Sequence, residues 1–316
     1  MRRRAAFLFA AIGLVLYLAL YAAAEALLLR HGDANPFYRM RNLPAAASAD
    51  WLVLGASHAM PLDFGGSGAA MQRATGLAIV NLGATGTGPL YNRFVLERFL
   101  RQRRAANVLY VADAFAFHSA QWNEERFADA KLLARTPWDL ELAVALGGYV
   151  RDEGVSWRAW LAYTSGFAKI NNADRFQRDA WEGEAQFENA WRPSASAVKK
   201  RVGYLYPDGT PEAARARYLA QLQRLVATGR EAGARVVVVK PPVPASYRAQ
   251  LPDEAAFDAA LAQASAAAGA TFLDWSTALP EPRWYFDSDH LNRAGVQALF
   301  DSRLRALLQE ASRAGA

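Results

Sequence analysis

The sequence predicts a doubly wound α/β domain, and three observations carry that expectation. Five short runs are apolar at successive rather than alternate positions: Trp51–Leu54, Ala78–Leu82, Asn107–Ala112, Arg235–Lys240 and Thr271–Trp275. Unbroken apolarity of this length marks strands covered on both faces, as in a parallel sheet. Helical patterns with one apolar face lie between these runs or follow the last of them, which is the grammar of βαβ units. The composition, 53% hydrophobic and 21% charged over 316 residues, is that of a chain with a packed core.

Taken from the N-terminus, the first element is of another kind. Arg2, Arg3 and Arg4 precede an uncharged run from Ala5 to Ala24, 20 residues long. At about 1.5 Å per residue the run makes roughly 30 Å of helix, the thickness of a bilayer's hydrocarbon core. A membrane anchor through residues 5–29 is therefore expected, within an anchor segment of residues 1–30. The preceding arginines predict a cytoplasmic N-terminus and an outward-facing remainder, a single-pass protein of the cytoplasmic membrane. A cleaved signal peptide is the rival, since "AAAEA" offers small residues, but the run exceeds the usual apolar region of such peptides. Residues 31–47, polar and rich in Pro and Ala, read as a linker.

The α/β domain is then expected over 48–316. After the second strand, Pro89 opens a helix at a favourable first-turn position, with Tyr91, Phe94, Val95 and Phe99 as its apolar stripe. Tyr218, Leu219, Leu222, Leu225 and Val226 make a second helix that ends at Gly233, and Val296, Leu299, Phe300, Leu304 and Leu307 make the last. Residues 114–210 are too long for one crossover and read as a helical insertion. It holds six of the nine tryptophans, Trp122, Trp138, Trp157, Trp160, Trp181 and Trp191. These rings suit the core of a cap subdomain, and one or two could instead line a cleft and stack on sugars.

Composition also excludes some chemistry. Without cysteine there are no disulfides, no thiolate metal sites and no thiol nucleophile. Without residues 1–30, which hold four arginines and Glu25, the net charge falls from +6 to +3, too small a surplus to point to nucleic acid.

In a parallel α/β sheet ligands sit beyond the carboxyl ends of the strands, so the residues there carry the functional reading. The first strand is followed by "LGASHAM" with Ser57 in a tight turn, the second by "NLGATGTGP", and the fifth, after a short interval, by "DSDHLNRAG". A serine hydroxyl becomes nucleophilic when a base takes its proton, and imidazole suits that task near neutral pH. His290 is the candidate base. Asp287, three residues earlier, can reach back to the ring's far nitrogen and hold its tautomer, whereas Asp289 is expected to point elsewhere or cap the following helix.

"GASH", "NLGATG" and "DxxHLNxxG" in this order resemble the SGNH (GDSL-like) hydrolases. The resemblance implies a flavodoxin-like sheet and a triad of Ser57, His290 and Asp287. It also implies an oxyanion hole from the backbone N–H groups of Ser57 and Gly83. One block departs from the pattern, because the third strand ends in "VADAFAF" where the family usually offers an asparagine donor. An ionised Asp113 cannot donate. The departure, the N-terminal anchor and the segment "VVVVKPPVPASY" are similar to a membrane-anchored branch containing the teichoic-acid D-alanine transfer protein and the alginate O-acetylation proteins. That branch implies a periplasmic or extracellular serine esterase or O-acetyltransferase acting on an acylated envelope glycan or acyl donor, in some cases beside a multi-spanning membrane O-acyltransferase. His58 and Asp113 are candidates for substrate contact, and the chemistry calls for no metal and no cofactor.

Two other classes compete. A non-catalytic adaptor of the same fold, assisting a membrane acyltransferase, is favoured by the missing asparagine. A nucleotide binder is suggested by "GATGTG" with Asp113, but the glycine spacing and the distance from Gly83 to Asp113 differ from those of a dinucleotide loop.

Overall fold

The computed structural model describes residues 2–31, 35–44, 47–172 and 181–314. Parts of the expected 31–47 linker, and residues 173–180 of the expected insertion, lie outside that range. The chain divides into two compact units, one of Met1–Arg41 with Phe127–Ala180 and one of Asn42–Arg126 with Trp181–Ala316. The insertion thus contributes its middle to one unit and its two ends to the other.

Along the chain, α1 (Arg2–His31) and α2 (Pro36–Asn42) come first, and α2 occupies part of the stretch that reads as a linker. They are followed by β1 (Ser48–Gly55), α3 (Ser67–Thr75), β2 (Ile79–Asn81), α4 (Pro89–Gln102) and β3 (Arg104–Val111). Three helices, α5 (Leu140–Asp152), α6 (Trp157–Ser165) and α7 (Phe167–Ile170), belong to the smaller unit. The chain then continues through α8 (Ala195–Leu205), α9 (Glu212–Glu231) and β4 (Arg235–Lys240). It ends with α10 (Ala245–Arg248), α11 (Glu254–Ala268), β5 (Thr271–Asp274), α12 (Arg293–Leu299) and α13 (Arg305–Ala314).

In the larger unit the five strands are parallel in the order β2-β1-β3-β4-β5. This is the flavodoxin-like order, so the expected fold class is what the chain adopts. All five runs read from the sequence are strands. In the three central strands, β1, β3 and β4, the side chains alternate between two buried faces. Trp51, Val53, Leu109, Val111, Val237 and Val239 share a core cluster with Met71 of α3 and with Leu299 and Leu308 of the C-terminal helices. On the other face Gly229 of α9 packs so closely on Val236 that an added Cβ would lie 2.8 Å from it. Helices on both faces explain why the central strands are apolar at successive positions, as in Leu52–Leu54, Val108–Val111 and Val236–Val239.

The C-terminal helix departs from the expected single stretch. A π-helical turn, Phe300–Leu304, separates α12 from α13, and with it Phe300, Leu304 and Leu308 all stay buried. One sheet register matters for the site: Gly55 lies beside Val111, and Val111 beside Val239. Chain segments leaving β1 and β3 therefore emerge side by side.

In the smaller unit α1 is a 30-residue helix that holds an 18-residue stretch of mean hydropathy 2.3, and it is long and apolar enough to cross a membrane. Near its C-terminal half it meets α7. Tyr17 donates to the Ser165 carbonyl at 2.6 Å, and Lys169 pairs with Glu25 at 2.6 Å.

Candidate active site

Gly55 shapes the turn that presents the serine. Its φ of +142° and the Val111 carbonyl, 2.7 Å from where a Cβ would stand, leave room for glycine alone. Two residues on, Ser57 sits buried in a turn closed by the Ala59 N–H donating to the Ala56 carbonyl and the Met60 N–H to that of Ser57.

The loop Phe286–His290 is pinned at both ends. Phe286 N–H donates to the His290 carbonyl at 3.0 Å, Tyr285 and Leu291 form an antiparallel bridge, and Asn292 N–H donates to the Trp284 carbonyl at 2.9 Å. Asn292 then caps α12 by accepting from the Gly295 N–H at 2.9 Å. The glycine of "DxxHLNxxG" has a steric cause, since a Cβ at Gly295 would stand 2.1 Å from the Trp284 carbonyl oxygen.

Within this loop the Asp287 carboxylate accepts from the backbone N–H groups of Asp289 and His290, at 3.1 and 2.8 Å. That turn aims it at the imidazole. His290 Nδ1 lies 2.9 Å from Asp287 Oδ2, and His290 Nε2 lies 2.9 Å from Ser57 Oγ. With Nδ1–H donating to the carboxylate, Nε2 accepts from the serine hydroxyl, the polarity a general base requires. Burial opposes the charge of Asp287, but the adjacent His290 ring prevails and holds the carboxyl below the usual range. The three residues expected to meet do meet.

Around them the structure adds groups that the motifs do not announce. His58 and His290 stack with centroids 4.7 Å apart, and Phe286 stacks on His290 at 5.6 Å. Trp181 approaches the same ring edge-on at 4.9 Å. One insertion tryptophan thus reaches the site, whereas Trp122 is a buried core ring donating to the Leu205 carbonyl at 2.9 Å.

His58 Nδ1 is hydrogen-bonded to Asp113 Oδ1, and its Nε2 lies 3.5 Å from Asp289 Oδ2. The β1–β3 register brings the two segments together. Both side chains are buried and joined to each other. Burial disfavours the charge on His58, but Asp113 and then Asp289 outweigh it and raise its pKa to about 9. A recess of about 30 Å³, large enough for one water, is lined by His58, Asp113, Tyr206, Lys240 and Tyr247.

Asp289 is fully buried and does not cap the following helix, a role taken by Asn292. Arg201 of α8 holds it instead, with Nε 3.0 Å from Oδ2, and Ser288 Oγ donates to Oδ1 at 2.6 Å. Burial would raise the Asp289 carboxyl, but the neighbouring His290 and Arg201 keep it well below the carboxylate range. Sequence reasoning missed Arg201, which lies 88 positions from its partner with no motif around it.

The second expected oxyanion donor, Gly83, has a partner within the chain. Gly83 N–H donates to Asn81 Oδ1 at 2.9 Å, while Asn81 Nδ2 donates to the Ala59 carbonyl at 2.7 Å. A buried asparagine at the end of β2 must satisfy its amide, and it does so by folding back on the glycine. In this conformation the Gly83 N–H is taken.

His58, Asp289 and His290 carry ligand-type atoms within 4.8 Å of one another. A cation there would face Arg201 and would compete with the Asp287 and Ser57 bonds of His290. The donor set serves a hydrogen-bonded charge network better than a metal.

No protein-family model and no curated protein matches the chain. Among solved structures it is similar to the crystal structure of a proposed acylhydrolase from Bacteroides fragilis, at 10% identity and a TM-score of 0.42, covering 86% of this chain and 94% of that one.

Proposed function

We propose that the protein is a serine-dependent ester hydrolase or O-acyltransferase. The observation that carries this reading is the continuous path from Ser57 Oγ to His290 Nε2 at 2.9 Å and from His290 Nδ1 to Asp287 at 2.9 Å. Ser57 Oγ attacks the ester carbonyl carbon while its proton passes to His290 Nε2. The tetrahedral intermediate collapses, His290 returns the proton to the leaving alcohol, and the acyl group remains on Ser57. A water or a sugar hydroxyl then gives its proton to His290 Nε2 as its oxygen attacks the acyl carbon, and His290 returns that proton to Ser57 Oγ as the acyl–serine bond breaks.

Charge in the surroundings supports the first step. Asp113, Asp287 and Asp289 face two cationic partners, His58 and Arg201. The imidazolium formed as Ser57 attacks supplies the missing positive charge where it is already compensated. Of the two backbone donors expected for the oxyanion, the Ser57 N–H is the one this reading keeps.

The setting we propose is the cell envelope, with α1 as a membrane anchor and an acylated glycan or acyl donor as substrate. Support comes from the apolar length of α1, from the arginines before it and from the motif resemblance. A second reading, an adaptor that assists a membrane acyltransferase without chemistry of its own, is favoured by the engagement of Gly83 with Asn81.

One experiment separates the two. The full chain in detergent is offered an activated acetyl ester, and intact mass is followed for an acetyl adduct that maps to Ser57. Turnover lost by on the order of 10⁶-fold in Ser57→Ala is the expected result. Equal turnover in the variant removes the enzymatic reading and leaves the adaptor.

A further inference from the structure

We propose that the smaller unit does not stand above the membrane on its anchor but is sunk into the outer part of the bilayer, with α6 and α7 against lipid. The inference rests on reading α1 as the membrane anchor.

If Ala5–Ala24 fills the roughly 30 Å hydrocarbon core, Tyr17 lies seven residues, about 10 Å, inside its outward edge. Helical side chains lean toward the N-terminus, so Tyr17 does not reach outward from there. Its hydroxyl nevertheless donates to the Ser165 carbonyl at 2.6 Å, at the end of α6. One turn further along, the Tyr21 ring lies so close to Gly166 that a Cβ there would stand 1.6 Å from it. The α6–α7 corner is therefore held alongside α1 at a level where the surroundings are hydrocarbon.

The surface presented at that level agrees. Leu140, Val144, Trp157, Trp160, Leu161 and Phe167 are each between 40% and 68% exposed. Leu140 and Val144 share a face of α5, and Trp157, Trp160 and Leu161 share a face of α6. Trp160 Nε1 donates to the Ala143 carbonyl at 3.0 Å, so the two faces adjoin. An apolar surface of this size in water invites association, whereas tryptophans on such a surface are the side chains that settle at a bilayer interface. The ammonium on α7 is matched. Lys169 is buried, bonded to Glu25 and set over the Tyr21 and Tyr163 rings at 5.3 and 5.6 Å. The occupant is the lipid that already surrounds α1, because the patch and the span belong to one compact unit.

The chain has no cysteine, so single cysteines can be introduced into the full-length protein. Leu161→Cys and Phe167→Cys, with Leu14→Cys as a span control and the exposed Lys200→Cys as an aqueous control, are labelled with bimane. Each is reconstituted in phosphatidylcholine liposomes carrying doxyl lipids, and circular dichroism checks its fold. The expected result is quenching at 161 and 167 comparable to that at 14, and labelling by a membrane-impermeant maleimide roughly tenfold slower than at 200. Rapid aqueous labelling without quenching at 161 and 167, while 14 is quenched, overturns the inference and leaves the anchor standing. An unquenched position 14 overturns the anchor reading, and this inference with it. Protection that grows with the protein-to-lipid ratio identifies a second copy as the occupant and also overturns it.

Discussion

At the scale of single residues, the site is a network of buried charges in which each group's role depends on its neighbour. Asp287 holds the His290 ring through Nδ1, so Asp287→Asn should leave the fold intact and lower kcat by about 10⁴-fold, measured by steady-state ester turnover beside circular dichroism. Arg201 faces the wholly buried Asp289. Arg201→Met strands that carboxylate, and a loss of about 3–5 kcal/mol in urea unfolding is expected. His58 gives a pH signature. Its folded pKa lies near 9 against 6.5 for the free group, so its contribution to stability is full below 6.5 and is lost as pH rises through 9. His58→Gln should flatten the fall in urea midpoint across that window, and an unchanged slope would count against the charged His58–Asp113 pair.

At the scale of elements, strand ends decide what the site contains. The β1–β3 register brings His58 beside Asp113, and the glycine at the end of β1 lets the chain turn under Val111. Gly55→Ala should cost on the order of 1–3 kcal/mol through the disallowed φ and the Val111 contact, read from denaturant midpoints. The strands and the helices α4 and α9 were legible in the sequence because each is specified by its own apolar period and caps. The π turn at Phe300–Leu304 was not, since residue spacing alone does not show where an extra residue is absorbed. The helix α2 was missed for a different reason: its buried Phe37, Tyr38 and Met40 form too short a pattern to stand out from a linker.

For the whole molecule, the outcome of the proposed chemistry depends on water. An acyl-enzyme at Ser57 that excludes water while holding a sugar hydroxyl transfers its acyl group, and one open to water hydrolyses it. The direction of the anchor is a matter of the arginines before α1. A reporter enzyme active only outside the cytoplasm, fused to the C-terminus, should be active. Silence in a folded, membrane-bound fusion would reverse the orientation.

By itself the sequence determined the fold class, the helix able to span a membrane, and the three residues, Ser57, His290 and Asp287, that converge. The first two are local properties, unbroken apolarity and a long uncharged run; the third combined a three-residue spacing within one loop with the strand-end position of Ser57, 233 residues away. Only the tertiary structure decided that Asp289 answers to Arg201, that His58 is bound to Asp113, that the Gly83 N–H turns to Asn81, and that residues 127–180 group with α1. A buried charge or amide takes whichever partner packing brings within reach, and packing is set by segments far apart in the chain.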